Sequence, residues 1–111
     1  MRYEPIVRNT EFARAYRRGK SYVSPFLVTY VLRRKSGGVR LGITTSKKIG
    51  GAVQRVRARR VIREAYYAMN LDPAKHVDLV FVARTATTRV KMHKVEKAMR
   101  AHLVAAGLIE G

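Results

Sequence analysis

The chain has 111 residues, 47% of them hydrophobic, and carries 24 Lys and Arg against 7 Asp and Glu for a formal charge of +17. That length holds one domain (1–111) with a single core and excludes two, the hydrophobic share excludes a disordered basic tail, and the charge favours a polyanionic partner through counterion release. With no cysteine, no apolar run near the roughly 20 residues that span a bilayer and no signal-peptide core, disulfides and thiolate chemistry are excluded and a cytoplasmic protein with no membrane partner is expected.

Met1 to Val7 contains Pro5 and no clear period, so it reads as an extended arm. Asn9 or Thr10 then caps a short helix in which Phe12, Ala15 and Tyr16 share a face, with Arg14, Arg17 and Arg18 over most of the rest. Gly19 suits the left-handed position that ends a helix. Ser21 to Ser24 reads as a short strand, and Pro25 marks an edge or a strand start. Phe26 to Arg34 is β-branched, aromatic or aliphatic, and the turn Lys35-Ser36-Gly37-Gly38 leads directly into Val39 to Ser46, so the pair reads as a hairpin. In its second strand Val39, Leu41 and Ile43 alternate with Arg40, Gly42 and Thr44, giving one apolar and one small or polar face.

After Lys47 and Lys48 and a glycine pair comes the central helix. At about 100° per residue, Ala58, Val61, Ile62, Ala65 and Met69 fall on one side, and Arg59, Arg60 and Arg63 on the other. Arginine stays charged at any physiological pH. Glu64 alone in the segment offers a neutralising carboxylate, and the two lysines precede a helix N-terminus, where free N–H groups and the dipole favour an anion. The charges are therefore read as collected for a phosphate backbone rather than as a solvated face.

Leu71-Asp72-Pro73 breaks the pattern, and Val77 to Ala83 is an apolar run of strand length, read as an inner strand. A last helix from about Arg89 to Ala106 carries the stripe Met92, Val95, Met99, Leu103 and Ala106 and closes at Gly107. The order, one sheet with helices packed on it, is an α/β sandwich.

Hydrolytic chemistry has little to stand on. Glu4, Glu11, Glu64, Asp72, Asp78, Glu96 and Glu110 are scattered, with no pattern that gathers carboxylates around a metal. His76, His93 and His102 come one from a loop and two from the last helix at a spacing that does not share a face. The turn Ser46 to Gly51 lacks the order of a nucleotide phosphate loop, though its N–H groups and lysines suit an RNA phosphate. Phe12, Tyr16 and Tyr30, interleaved with arginines, fit base stacking. On their residues alone, Phe12 and Tyr16 fit the core face of an amphipathic helix better.

Ser46-Lys47-Lys48-Ile49-Gly50, Ala52-Val53, Arg55-x-Arg57, Arg59-Arg60 and Ile62-Arg63-Glu64-Ala65 closely resemble the signature of the bacterial ribonuclease P protein subunit, S-K-K-x-G-x-A-V-x-R-N-R-x-K-R-x-x-R-E. Phe12 and Tyr16 before Gly19, Tyr30, Leu41-Gly42 and Asp78 through Ala83-Arg84 extend the likeness along the chain. The resemblance implies an αβββαβα two-layer sandwich with a mixed four-stranded sheet and a left-handed βαβ crossover, like the second domain of a small-subunit ribosomal protein. It implies a non-catalytic protein subunit of an endoribonuclease that binds ribonuclease P RNA and precursor tRNA, the RNA with its Mg2+ removing the 5′ leader. By position, Lys47, Lys48, Arg55, Val56, Arg57, Arg59, Arg60 and Arg63 would face the catalytic RNA. Phe12, Tyr16, Arg17 and Tyr30 would line a leader cleft, with Arg14, Arg18 and Lys20 as phosphate contacts nearby. No metal ligand on the protein is assigned. Val56 stands where the family usually has Asn, in the middle of the cationic face, and Gly51 stands where larger polar residues are common. The rival reading is a ribosomal or general RNA-binding protein with no enzyme partnership, which fold alone does not separate.

Overall fold

A computed structural model describes residues 3–111; the first two residues of the expected arm lie outside them. A two-residue strand β1 (Glu4–Pro5) precedes helix α1 (Asn9–Arg18), then come β2 (Lys20–Val23), β3 (Leu27–Arg33), β4 (Val39–Thr44), a 3-10 turn at Lys47–Ile49, helix α2 (Ala52–Met69), β5 (Val77–Ala83), a second 3-10 turn at Thr85–Thr88 and helix α3 (Met92–Ala105). The arm thus supplies a fifth strand to the expected four. Glu4 and Pro5 pair parallel with Arg40 and Leu41 at the sheet edge, a place where proline's missing N–H costs nothing.

The strand order is β1-β4-β5-β3-β2, which overturns the hairpin expected from β3 and β4. The two are consecutive and antiparallel, yet β5 lies between them, antiparallel to β3 and parallel to β4. The reason is burial: every residue of β5 except Val82 is buried, so the most apolar strand needs partners on both edges and cover on both faces. The five-residue link between β3 and β4 reaches across one strand. Gly37 and Gly38 turn it at positive φ, and the Arg34 guanidinium donates to the carbonyls of Ser36 and Gly38.

Alternation along the strands sends Leu27, Val31, Leu41, Leu79 and Phe81 to one face, where α2 and α3 cover them in the main core. α1 covers the opposite face, in a smaller cluster of Ile6, Ala15 and Val80 with Phe12, Tyr30 and Val82 packed against it. Helices on both faces follow from the two apolar stripes of β5. The expected core face of α2 is buried at Ala58, Ile62, Ala65 and Met69, with Val61 half-buried. Tyr66, fully buried, belongs to it as well.

Three local expectations shift. Arg8, not Asn9 or Thr10, is the N-cap of α1, its N–H donating to the Glu11 carboxylate. Gly19 is extended rather than left-handed; what requires glycine there is space, since a Cβ would lie 2.4 Å from the Ala15 carbonyl oxygen. The last helix begins at Met92 because residues 85–88 form the 3-10 turn, held by Thr87, whose hydroxyl donates to the Phe26 carbonyl and accepts from the Arg84 N–H.

His102, absent from the expected α3 stripe, is buried, with Nδ1 2.8 Å from the Thr29 hydroxyl. Burial holds its pKa below the ordinary 6.5, so the folded protein resists a proton that the unfolded chain accepts. Stability is then full above pH 6.5 and falls as the pH drops below it. Unfolding midpoints should decline between pH 7.5 and 5.5 (roughly the window around an ordinary imidazole), and His102→Phe should flatten that part of the profile.

Candidate nucleic-acid interface

Phe12 and Tyr16, one turn apart on α1, stack at 6.5 Å between centroids with 30° between planes. The Tyr30 ring meets Tyr16 edge-on at 4.9 Å. Burial divides them: Phe12 and Tyr30 are half-buried in the smaller core, whereas Tyr16 is 41% exposed. Phe12 and Tyr30 thus pack as core residues in part, while the Tyr16 ring stays open to solvent. Gly42 on β4 lets Phe12 sit flat on the sheet, because a Cβ there would meet the ring at 2.5 Å.

β4 is covered by β1 only at Arg40 and Leu41, so its later backbone edge is open. Across that edge runs a cleft of about 550 Å³, with Phe12, Tyr16 and Ile6 on one side, Gly42 and Thr44 at its floor, and Arg59 and Arg63 of α2 on the other. Tyr3 also lines it, and Tyr3 packs edge-on against Tyr66 at 5.5 Å. Burial pushes the Tyr3 phenol up, further raised by its bond to Tyr67 and opposed by its bond to Arg63. It stays a neutral hydroxyl at physiological pH.

The helix beyond the cleft is cationic along its length. Arg57, Arg59, Arg60 and Arg63 are exposed and Arg55 is half-buried. Val56, 56% exposed, borders two shallow grooves, one of about 380 Å³ with Arg55 and Arg59 and one of about 340 Å³ with Arg57 and Arg60. Among the described residues, no carboxylate lines either groove or the cleft. Lys47 and Lys48 are exposed on the 3-10 turn, whose N-cap Ser46 accepts from the Lys48 N–H. Gly50 follows at φ 135°, a conformation open to glycine, and the α2 N-terminus has neither a side-chain cap nor an acid in its first turn. Its free N–H groups remain available to an anion.

Not every expected residue joins the cleft. Tyr30 supports Tyr16 from behind rather than lining it, and Arg14, Arg17, Arg18 and Lys20 are exposed on α1 and β2 outside its walls. Lys20 extends over the Tyr22 ring, 5.6 Å from its centroid.

What the sequence did not disclose is how α1 is anchored. Asp78 of β5 is fully buried; Arg40, its register partner on β4, donates to both its oxygens at 2.7 and 2.8 Å, and Arg34 Nε stands 2.7 Å from Oδ1. The same Arg40 pairs with Glu11 in the first turn of α1. The Asp78 bonds, and the charges of Asp78 and Glu11, outweigh desolvation and raise the Arg40 pKa. This chain of ions ties the helix bearing Phe12 and Tyr16 to the sheet. The signal available in sequence was an arginine and an aspartate at strand positions otherwise apolar, with no means of seeing that they face each other.

Among the described residues no three of His, Asp and Glu gather as a metal site, and Asp78 and Glu11 are taken by guanidinium groups. These residues do not fit a protein-bound magnesium. Nor is any described helix long and apolar enough to cross a membrane.

An open strand edge between stacked aromatics and an arginine-lined helix defines a small, strongly basic α+β protein. The ribonuclease P family model matches residues 1–107. The "Ribonuclease P protein component" of Clostridium botulinum is 40% identical over 97% of this chain and 98% of its own length, and that of Clostridioides difficile 36% identical over 89% and 88%. A solved Staphylococcus aureus RNase P protein superposes with a TM-score of 0.79 at 28% identity, covering 94% of this chain and 95% of that one. The chain belongs to the ribonuclease P protein family.

Proposed function

We propose that this chain acts in the bacterial cytoplasm as the RNA-binding subunit of ribonuclease P, with the RNA subunit and its magnesium carrying out the hydrolysis. Its family membership places it in the maturation of tRNA 5′ ends. α2 and the Lys47-Lys48 turn bind the catalytic RNA, and the cleft holds the 5′ leader of precursor tRNA. The observation that carries this reading is the cleft's continuity: one trough offers the Phe12 and Tyr16 rings to bases and, across the β4 edge, Arg59 and Arg63 to phosphates. Leader bound there would hold the substrate in register while the basic helix offsets repulsion between two RNAs.

The test is cleavage of precursor tRNA at low magnesium by a bacterial ribonuclease P RNA, with and without this protein, on substrates with long or absent leaders. Stimulation should grow with leader length. Tight binding that ignores the leader and gives no stimulation would instead favour a general RNA-binding protein.

Val56 is the position where one side chain should improve the protein. An exposed amide between the two arginine grooves can donate and accept, which valine cannot. Val56→Asn should strengthen RNA binding by about 2- to 10-fold, the worth of one net hydrogen bond, and lower the magnesium needed for cleavage. No gain across a magnesium titration would count against the role given to that position.

A further inference from the structure

On the side of the molecule away from the cleft, the turn between β2 and β3 and the outer face of α3 enclose a groove of about 410 Å³. The strand order places this turn at the opposite end of the sheet from β4. Pro25, Phe26 and Ala98 form an apolar floor, and His93, Lys94 and Lys97 stand along the α3 wall. Lys94 Nζ lies over the Phe26 ring, 5.9 Å from its centroid. Phe26 is half-buried, packed on the main core, so the ring is held in place from below.

The charge around this groove is one-sided. Between positions 84 and 100 the chain carries Arg84, Arg89, Lys91, Lys94, Lys97 and Arg100 against Glu96 alone, and Glu96 does not line the groove. Arg84 sits on the rim, donating to the Ser24 carbonyl at 3.2 Å. An apolar partner would gain the floor but would have to desolvate the lysines; a partner with both a flat apolar face and an anion answers both.

We propose that this groove is a second RNA-binding site, which takes an unpaired nucleotide with its base on Phe26 and its phosphates on Lys94 and Lys97. The ammonium that covers the ring in the free protein turns aside to meet the incoming phosphate, so the cation–π contact is exchanged for an ion pair while the base takes the vacated face. The proposal rests on the functional reading only in taking RNA as the partner; it does not depend on the leader cleft. With the cleft at one end of the sheet and this groove at the other, one protein molecule holds two separate single-stranded segments.

The experiment measures binding of a short fluorescent oligoadenylate to the full chain across a salt series. Lys94→Ala with Lys97→Ala should weaken binding about tenfold or more and lower the log–log salt slope by about 1.4, since each single-strand phosphate contact contributes about 0.7. Lys35→Ala with Lys75→Ala removes the same charge elsewhere and should do much less. Phe26→Leu keeps an apolar side chain on the core but removes the aromatic face; it should weaken binding about fivefold or more with the salt slope unchanged. Both effects should persist in a Tyr16→Ala background, where the cleft is impaired. Equal losses in the two lysine pairs, no effect of Phe26→Leu, or disappearance of the effects in that background would each overturn the site. So would a glutamate-rich peptide that binds with this sensitivity when RNA does not. Loss of leader-dependent cleavage with the groove's binding intact would count against the functional reading and leave this one standing.

Discussion

Replacing Arg59, Arg60 and Arg63 together by alanine should weaken binding to ribonuclease P RNA about 100-fold near 0.1 M salt and reduce the log–log salt slope by about 2 to 3. These three side chains are exposed, two of them form the far wall of the cleft, and no lining carboxylate neutralises them. Each phosphate they neutralise releases counterions, so the losses add in the logarithm. Folding should survive, because alanine is the best helix former and the buried side of α2 is untouched. Taking Lys35 and Lys75 to alanine, with the loss counted per charge removed, is the comparison. If that pair weakens RNA binding equally per charge, the field of the whole protein supplies the affinity and the helix has no special part. Binding isotherms at four or so salt concentrations (enough to define the slope of the counterion relation) would decide it.

Asp78→Asn should be the most destabilising single exchange of a polar residue. Asp78 is fully buried and holds Arg34 and Arg40, whose side chains remain 18% and 19% exposed. Removing one partner of a buried ion pair leaves charge uncompensated, at about 3–5 kcal/mol; because water still reaches both guanidinium groups, the lower end applies. An asparagine also turns N–H groups toward one of the donors it must accept from. A loss of about 3 kcal/mol in a domain of this size lowers Tm by roughly 10 °C or more, measurable by thermal unfolding. Since Arg40 also holds Glu11, the milder Glu11→Gln should cost less stability yet loosen α1 and reduce leader-dependent stimulation more than leaderless cleavage. A Tm unchanged in Asp78→Asn would mean that the two arginines find equal partners in water.

Individual elements show where sequence reasoning reached and where it stopped. The α2 arginine face was legible because a helix's period is local: Ala58, Ile62 and Ala65 announce a buried side, and what lies opposite must be exposed. The inner position of β5 was legible from its apolar run, which Asp78 alone interrupts. The hairpin was not, because a short glycine turn between two strands looks the same whether they pair or admit a third strand between them. Phe12 and Tyr16 stayed ambiguous for a related reason: an amphipathic face can be half core and half cleft, and only the neighbours say which ring is covered. His102 and Tyr66 went unread since their polar atoms gave no hint that Thr29 and the Tyr3 ring awaited them.

The sequence by itself determined the class of partner, the cationic helix, the central strand and the family signature, all of which depend on charge count and short-range period. Only the tertiary structure decided that β5 separates β3 from β4, that α1 lies on the sheet face opposite α2 and α3, and that the aromatics of one helix meet the arginines of another across an open strand edge. Those are contacts between residues far apart in the chain. They are set by which apolar faces must be covered together and by one buried carboxylate that binds two arginines, and no local pattern encodes either.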